Sequence, residues 1–270
     1  MAYPFRRILI PTDFSTASQW AFDHAGRVAA ANNGEILILH IRMTWESDPN
    51  ELRFPADPSL YEYAERQELD RLNDRLRANG VNVPTRLIVK TAPEPGPEIC
   101  TVVKEENVDL VVIATHARHH VAHLLVGSTT LAVINDPPAP ILAIRYGIKR
   151  RDQIRRMIVP VHLKQKSHAA LDLALTIAQR RGTEIHLVTL CDDKERSAAE
   201  KMMSDIVAAH REVNIKSQLL RGNIEREIVK YADKTEADVI FLNAEQQLSK
   251  TKIEIIRHAA TPVMIVPAMK

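Results

Sequence analysis

The chain has 270 residues, enough for one large domain or two of ordinary size. Its apolar fraction of 45% supports a buried core, and a net charge of +2 with interspersed acids and bases offers no basic surface for nucleic acid. No apolar run reaches the roughly 20 residues of a transmembrane helix, and the amino terminus turns polar too early for a signal peptide. Cys100 and Cys191 belong to no CxxC or zinc spacing, as is typical of free thiols in a reducing compartment. We therefore expect a cytoplasmic protein that binds neither nucleic acid nor membrane.

The first half of the chain alternates short β-branched runs with segments of helical periodicity. Continuous Val, Ile and Leu runs are typical of strands buried on both faces of a parallel sheet. They predict strands over residues 8–11, 35–42, 85–90, 109–114 and 140–144. Helical spacing of apolar residues predicts helices over residues 15–31, 60–78, 97–106 and 128–135. This alternation indicates right-handed βαβ crossovers in a doubly wound α/β sheet.

The second half repeats the first. "RRILIPTDFS" begins at Arg6 and "RRMIVPVHLK" at Arg155, an offset of 149 residues (155 − 6). Later segments match at offsets of 129 and then 122, so the second half is shorter after its second strand and again in the loop after its fourth. The repeat indicates one ancestral unit used twice. We expect two tandem domains, residues 1–147 and 152–270, each a five-stranded parallel sheet with flanking helices.

Polar residues follow two strands of the first half. The Pro11-Thr12-Asp13 triplet ends the first strand, and the fourth ends at Ala114 before a histidine-rich loop. In open parallel sheets, ligands bind beyond the carboxyl ends of strands where the winding reverses. The next helix begins near Gly127-Ser128-Thr129, whose free N–H groups and hydroxyls favour a phosphate. Asp13 has a second interpretation as a helix cap, a role that Ser15 would share.

These residues resemble the universal stress protein family, in which a Pro-Thr-Asp or similar triplet and a Gly-x-x-Gly-x(9)-Gly-Ser/Thr loop together wrap ATP. Here the loop reads Ala114-x-x-Ala117-x(9)-Gly127-Ser128, with its spacing kept, and "HLLVGST" and His40-Ile41 also follow the family style. The resemblance covers both halves. It implies a tandem stress-response protein of two Rossmann-like domains of the adenine nucleotide alpha hydrolase-like type.

The resemblance implies one nucleotide site, in the first half, for ATP or a related adenine nucleotide, with Mg²⁺. The family's adenine and ribose contacts fall on Asp13 and the backbone near Ile41, and its phosphate contacts fall at the start of the fourth helix. The predicted site comprises Pro11, Thr12, Asp13, Ile41, Ala114, His116, Ala117, Gly127, Ser128, Thr129 and Thr130. Both early glycines of the motif are alanine here. A Cβ where the backbone needs positive φ or lies against a ligand costs about 1 kcal/mol or more, which weakens binding.

The second half departs further from the family motif. His162 stands in place of Asp13, and Ser249-Lys250 in place of Gly127-Ser128, while seven loop residues are missing. We expect this half to bind no nucleotide and to act as a structural partner.

The four histidines between residues 116 and 123 offer a competing interpretation. His116 and His120 are four residues apart, as are His119 and His123, a spacing that suits a metal on one helical turn. No carboxylate or cysteine joins them in this loop, so we favour solvated histidines and expect no metal.

Catalysis has no support in the sequence, because neither a G-x-S-x-G elbow nor an H-E-x-x-H motif is present. We therefore expect a binding protein rather than an enzyme. One hypothesis is a nucleotide-responsive switch read by an unknown protein partner. The alternative is an interaction module that works without nucleotide, in which the apolar last strands "ILAI" and "VMIV" pair inside the chain as a pseudo-dimer. Whether the tandem chain also forms a homodimer is left open by the sequence.

Overall fold

The computed structural model describes residues 5–43, 58–115, 126–148, 153–163, 168–244 and 250–268. The first half contains nine elements, in the order β1 (Arg7–Thr12), α1 (Thr16–Ala31), β2 (Glu35–Met43), α2 (Pro58–Ala78), β3 (Thr85–Ala92), α3 (Pro95–Glu105), β4 (Leu110–Ala114), α4 (Ser128–Asn135) and β5 (Ile141–Ile144). The second half repeats this order with β6 (Arg156–Pro160), α5 (Ala169–Arg181), β7 (Glu184–Leu190), α6 (Arg196–Ala209), β8 (Ile215–Leu220), α7 (Ile224–Lys234), β9 (Val239–Asn243), α8 (Lys250–His258) and β10 (Val263–Val266).

The ten strands form one sheet in the order β3-β2-β1-β4-β5-β10-β9-β6-β7-β8. Within each half the described strand pairs are parallel, and β5 and β10 join the halves as an antiparallel pair with Leu142 opposite Met264. The predicted doubly wound α/β architecture is confirmed, and so is the pairing of the two last strands with each other.

The strands are apolar throughout because both faces of the sheet are covered by helices. Ile8, Leu9 and Ile10 are all fully buried: Ile8 and Ile10 belong to one hydrophobic cluster and Leu9 to the other. The first cluster receives side chains of α1, α2, α5 and α6, and the second receives those of α3, α4, α7 and α8. Each cluster contains residues of both halves, so the hydrophobic layers continue across the junction.

The observed boundaries differ from the predicted ones by a few residues. For example, α3 begins at Pro95, two residues before the predicted start at Pro97. Proline is accommodated in the first helical turn because its missing N–H would have no intrahelical partner there. Among the described helices, none is both long enough and apolar enough to cross a membrane.

Candidate functional site

The sheet opens into a crevice where β1 and β4 diverge. These strands pair only through Ile8 with Leu110 and Leu9 with Val111. Beyond that point β1 continues along β2, and β4 continues along β5. The divergence falls where the strand order reverses, which is the position at which open α/β sheets bind ligands. The predicted site residues that the structure describes lie at this edge of the sheet.

The end of β1 forms one wall of the crevice. The Thr12 hydroxyl accepts a hydrogen bond from the Phe14 N–H at 2.9 Å and donates to Ser18 Oγ at 3.0 Å. Asp13 is exposed, and its Oδ1 accepts from the Ser15 N–H at 3.0 Å. The cap of α1 is Ser15, whose hydroxyl accepts from the Ser18 N–H. Of the two interpretations of Asp13, helix capping thus belongs to Ser15, and the Asp13 carboxylate lies at the rim of the crevice.

Phe14 and His40 complete this wall. Sequence reasoning missed Phe14 and noted His40 only as part of the family pattern, not as a site residue. Phe14 has φ of +57°, a left-handed conformation that bulky residues rarely adopt, so no sequence signal pointed to it. Its ring lies 4.7 Å from that of His40, and His40 Nδ1 lies 3.0 Å from the Thr12 carbonyl oxygen. A carbonyl only accepts hydrogen bonds, so His40 Nδ1 carries the proton. Ile41 follows, one residue beyond the last register partner that β2 has in β1.

The start of α4 forms the opposite wall. Gly127 is the cap residue, and since it has no side chain it makes no side-chain cap hydrogen bond. Thr130 is buried and its hydroxyl donates to the Ala114 carbonyl oxygen at 3.1 Å, which ties the helix to the end of β4. Ser128 and Thr129 lie in the first turn, where N–H groups have no intrahelical acceptors. For Thr130, the backbone N–H rather than the hydroxyl is therefore the group suited to a phosphate.

Gly127 is not required by the fold of the described residues. Its φ of −61° suits any residue, and among the described residues a Cβ built on it would meet only Thr130 Oγ1, at 4.0 Å. The space beside it suits a ligand that approaches the backbone closely.

At Ala114, the backbone strain expected from replacing the family's glycine with alanine does not arise. The residue lies in β4, opposite Ile144, and has no positive φ, so alanine in place of the family's glycine introduces no backbone strain here. His116 and Ala117 lie outside the described residues, as do the other three histidines of the loop. The residues that the structure describes contain no group of three or more candidate metal ligands.

The equivalent crevice of the second half is bridged by a side chain. There β6 and β9 also pair at only two positions and then diverge. Asn243, which stands where the first half has Ala114, is buried, and its Oδ1 accepts from the Ala170 N–H in the first turn of α5 at 2.8 Å. This amide joins β9 to α5 across the crevice. The predicted loss of this site rests on His162, Ser249-Lys250 and the shortened loop, and the prediction overlooks Asn243.

An ion pair holds α2 beside the first crevice. Arg42 donates to both carboxylate oxygens of Glu65, at 2.7 Å each, and the Glu65 side chain is only 8% exposed. The hydrogen bonding of Arg42 to Glu65 is the main cause that raises the pKa of Arg42. His40 Nε2 lies 4.0 Å from the same carboxylate. The pair fixes the end of β2, next to Ile41.

The fold defines a tandem doubly wound α/β protein in which Asn243 links β9 to α5 in the second half and Ala114 stands at the equivalent position of the first. The sequence model of the Universal stress protein family matches residues 4–145 and 153–267. The chain therefore belongs to the universal stress protein family, as a tandem member.

Individual relatives agree with this assignment. A universal stress protein of Methanocaldococcus jannaschii is 24% identical, with 54% of this chain and 98% of the relative aligned. Universal stress protein A homolog 1 of Coxiella burnetii is 26% identical over 52% of this chain and 96% of its own length. Each relative thus corresponds to about half of the chain. The crystal structure of a universal stress protein from Archaeoglobus fulgidus covers 99% of this chain and 98% of its own, at 19% identity and a TM-score of 0.77.

Proposed function

We propose that the protein is a cytoplasmic nucleotide-responsive switch whose first half binds ATP or a related adenine nucleotide between β1 and β4. The contrast between the two crevices carries this proposal. In the second half, Asn243 spans the divergence of the strands, whereas the first half has Ala114 there and leaves the position without a bridging amide. The motif around Gly127 resembles that of the family, and this resemblance indicates an adenine nucleotide as the class of ligand.

The described residues suit the parts of an adenine nucleotide. The uncapped first turn of α4 and the space at Gly127 favour the phosphates. The exposed carboxylate of Asp13 suits the ribose hydroxyls, and the backbone at Ile41 suits the adenine edge. Mg²⁺ would enter with the phosphates as their counter-ion. The motif contains no nucleophilic side chain with an adjacent general base, so we propose that the nucleotide is bound without turnover. A protein partner then recognises the bound state.

Calorimetric titration and thermal melting with ATP and AMP, each with and without Mg²⁺, test the proposal. Ala114→Asn introduces the amide of the second half into the first crevice, and Gly127→Val fills the space at the helix start without backbone strain. Both are expected to abolish the heat of binding and the ligand-induced rise in melting temperature. His162→Ala, at the position in the second half equivalent to Asp13, is the matched control and is expected to bind as the wild type does. Absence of binding by the wild type, or binding that Ala114→Asn retains, would contradict the proposal.

A second candidate function rests on the β5 and β10 pair. This antiparallel contact joins the halves into one sheet without any ligand, as an interaction module with a built-in pseudo-dimer requires. In this case the chain presents the same surface whether or not nucleotide is present. Sedimentation velocity and hydrogen exchange with and without ATP separate the two functions: the module predicts identical profiles, and the switch predicts altered exchange around β1 and α4. Sedimentation also shows whether the tandem chain forms a homodimer.

A further inference from the structure

A cavity of about 670 Å³ lies over the junction of the two halves, at a distance from the crevice. It is on the sheet face covered by α1 and α5. Its floor is apolar and comes from four central strands, through Leu110, Leu142, Val239, Phe241 and Met264. Leu110 is the first residue of β4, whereas the crevice is at the last residue of that strand. No described residue of the crevice lines this cavity.

The size and lining of the cavity suit a small-molecule site. Protein interiors are close-packed, with few voids larger than a water molecule. Ligand pockets have volumes of about 300–1,000 Å³ and are mostly apolar, with a few convergent polar groups. Leu142 and Met264 are register partners across the antiparallel pair, so the floor belongs equally to both halves.

The polar groups around the cavity include three arginines on the facing helices. Arg27 comes from α1, and Arg180 and Arg181 come from the last turn of α5. Arg181 Nη2 donates to the Ala31 carbonyl at 3.2 Å and to Asn32 Oδ1 at 3.4 Å, so it links α5 to the end of α1.

The acidic groups of the lining lie between α7 and β9. Asp238 Oδ2 accepts from the backbone N–H groups of Arg155 and Arg156, at 2.7 and 2.9 Å, which compensates part of its charge. Asp233 in the last turn of α7 and Glu236 just after the helix are exposed at the rim. The cavity thus has arginines on the α1 and α5 side, acidic residues on the α7 and β9 side, and an apolar floor between them.

We propose that this cavity binds a small amphipathic carboxylate, with an apolar chain over Leu142 and Met264 and the carboxylate at the guanidinium of Arg180. A guanidinium recognises a carboxylate through paired, charge-assisted hydrogen bonds. Since α1, α5 and both central strands contribute to the lining, such a ligand strengthens the contact between the halves. The site is independent of the nucleotide crevice.

Calorimetric titration of the full chain with sodium decanoate, below its micellar concentration, tests this inference. We expect saturable binding to one site. Decanol and decylamine, which keep the chain but lack the carboxylate, are expected to bind at least about tenfold more weakly, as loss of a charge-assisted contact implies. Equal binding of decanol would contradict the role of the arginine, and absence of saturable decanoate binding would overturn the site.

Three variants locate the ligand. Arg180→Gln is expected to weaken decanoate binding about tenfold, whereas Arg66→Gln, an exposed helix arginine on α2 outside the lining, is the matched control and leaves it unchanged. Leu142→Trp fills the floor and is expected to abolish binding, with circular dichroism to verify folding. If that variant does not fold, Arg180→Gln still decides.

Saturating ATP and the Ala114→Asn substitution are expected to leave decanoate binding intact. Competition by ATP would place the ligand in the crevice and overturn the inference.

Discussion

At the scale of single residues, the carboxylate of Asp23 on α1 is a buried charge that needs a partner. Its side chain is fully buried and accepts two hydrogen bonds from Arg75 on α2, at 2.7 and 2.6 Å. This pairing is the main cause that raises the pKa of Arg75. The ion pair therefore links the first two helices, with the carboxylate buried and the guanidinium partly exposed.

Arg75→Met is expected to lower the free energy of unfolding by about 3 kcal/mol, because it leaves a buried carboxylate without its main countercharge. Arg77→Met, on the same helix, is the control. Arg77 and its partner Asp74 are both largely exposed, and such pairs contribute at most about 1 kcal/mol. Urea denaturation measures both variants, and equal losses would show that burial of Asp23 is not the decisive factor.

Glu184 predicts a pH dependence in the second half. Burial raises the pKa of this carboxyl, but hydrogen bonds from Lys216 and His186 outweigh it and lower the pKa to about 2. A carboxyl whose pKa is lower in the folded state stabilises the fold above its unfolded pKa of about 4.5. That contribution is lost as the pH falls from there toward 2.

Glu184→Gln is accordingly expected to be less stable than the wild type at pH 6, and the difference should shrink as the pH falls below about 4.5. Glu200→Gln, on the exposed face of α6, should show a small difference at all pH values. Denaturation curves from pH 6 to pH 3 measure this. A stability gap for Glu184→Gln that stays constant over the whole range would contradict the assigned pKa.

At the scale of secondary-structure elements, α3 and α4 pack closely because Gly96 has no side chain. A Cβ built on Gly96 would lie 2.5 Å from the Cβ of Ala132. In an open helix position, alanine is more stable than glycine by about 1 kcal/mol. Here the overlap, which costs about 1–3 kcal/mol in a packed site, opposes that gain.

We expect Gly96→Ala to lower the melting temperature. Gly127→Ala meets no close neighbour among the described residues, so it should show only the modest cost of alanine at an N-cap. The double variant Gly96→Ala/Ala132→Gly removes the overlap. It should recover most of the loss in melting temperature, apart from the helix propensity cost of glycine at position 132. Thermal melts of the wild type, Gly96→Ala, Ala132→Gly and the double variant form a double-mutant cycle. Zero coupling between residues 96 and 132 would show that the helices adjust without strain.

The strands were predictable because helices on both faces leave an unbroken apolar run, as at Ile8, Leu9 and Ile10. The pairing of β5 with β10 followed from the same reasoning, since an apolar edge requires a partner. Much of the candidate site was not predictable. The positive φ of Phe14 contradicts its local preference, and the bond from Ala170 to Asn243 joins residues 73 positions apart. Such features arise from tertiary contacts that periodicity does not contain.

At the scale of the whole molecule, the halves share one sheet and two continuous hydrophobic layers. We therefore expect a single cooperative unfolding transition. Both tryptophans, Trp20 and Trp45, are in the first half, so fluorescence reports on that half while far-ultraviolet circular dichroism reports on both. The two probes should give coincident urea transitions in the wild type.

Met264→Asp places a charge in the buried central pair and is expected to separate the two transitions, with the second half unfolding first. Met43→Asp is the control, because Met43 is exposed at the end of β2. Transitions that already differ in the wild type would mean that the halves fold independently despite their shared sheet.

The junction through β5 and β10 also bears on how the two halves can change over time. In a homodimer, one mutation alters both subunits at once, so a substitution that closes the pocket of one subunit also closes the equivalent pocket of the other. A duplicated chain is free of that symmetry, and each copy accumulates its own substitutions while the shared sheet keeps them together. Asn243 and Ala114 are one such difference: at equivalent positions, the second copy has an amide that accepts a hydrogen bond from α5, and the first has a methyl group that cannot.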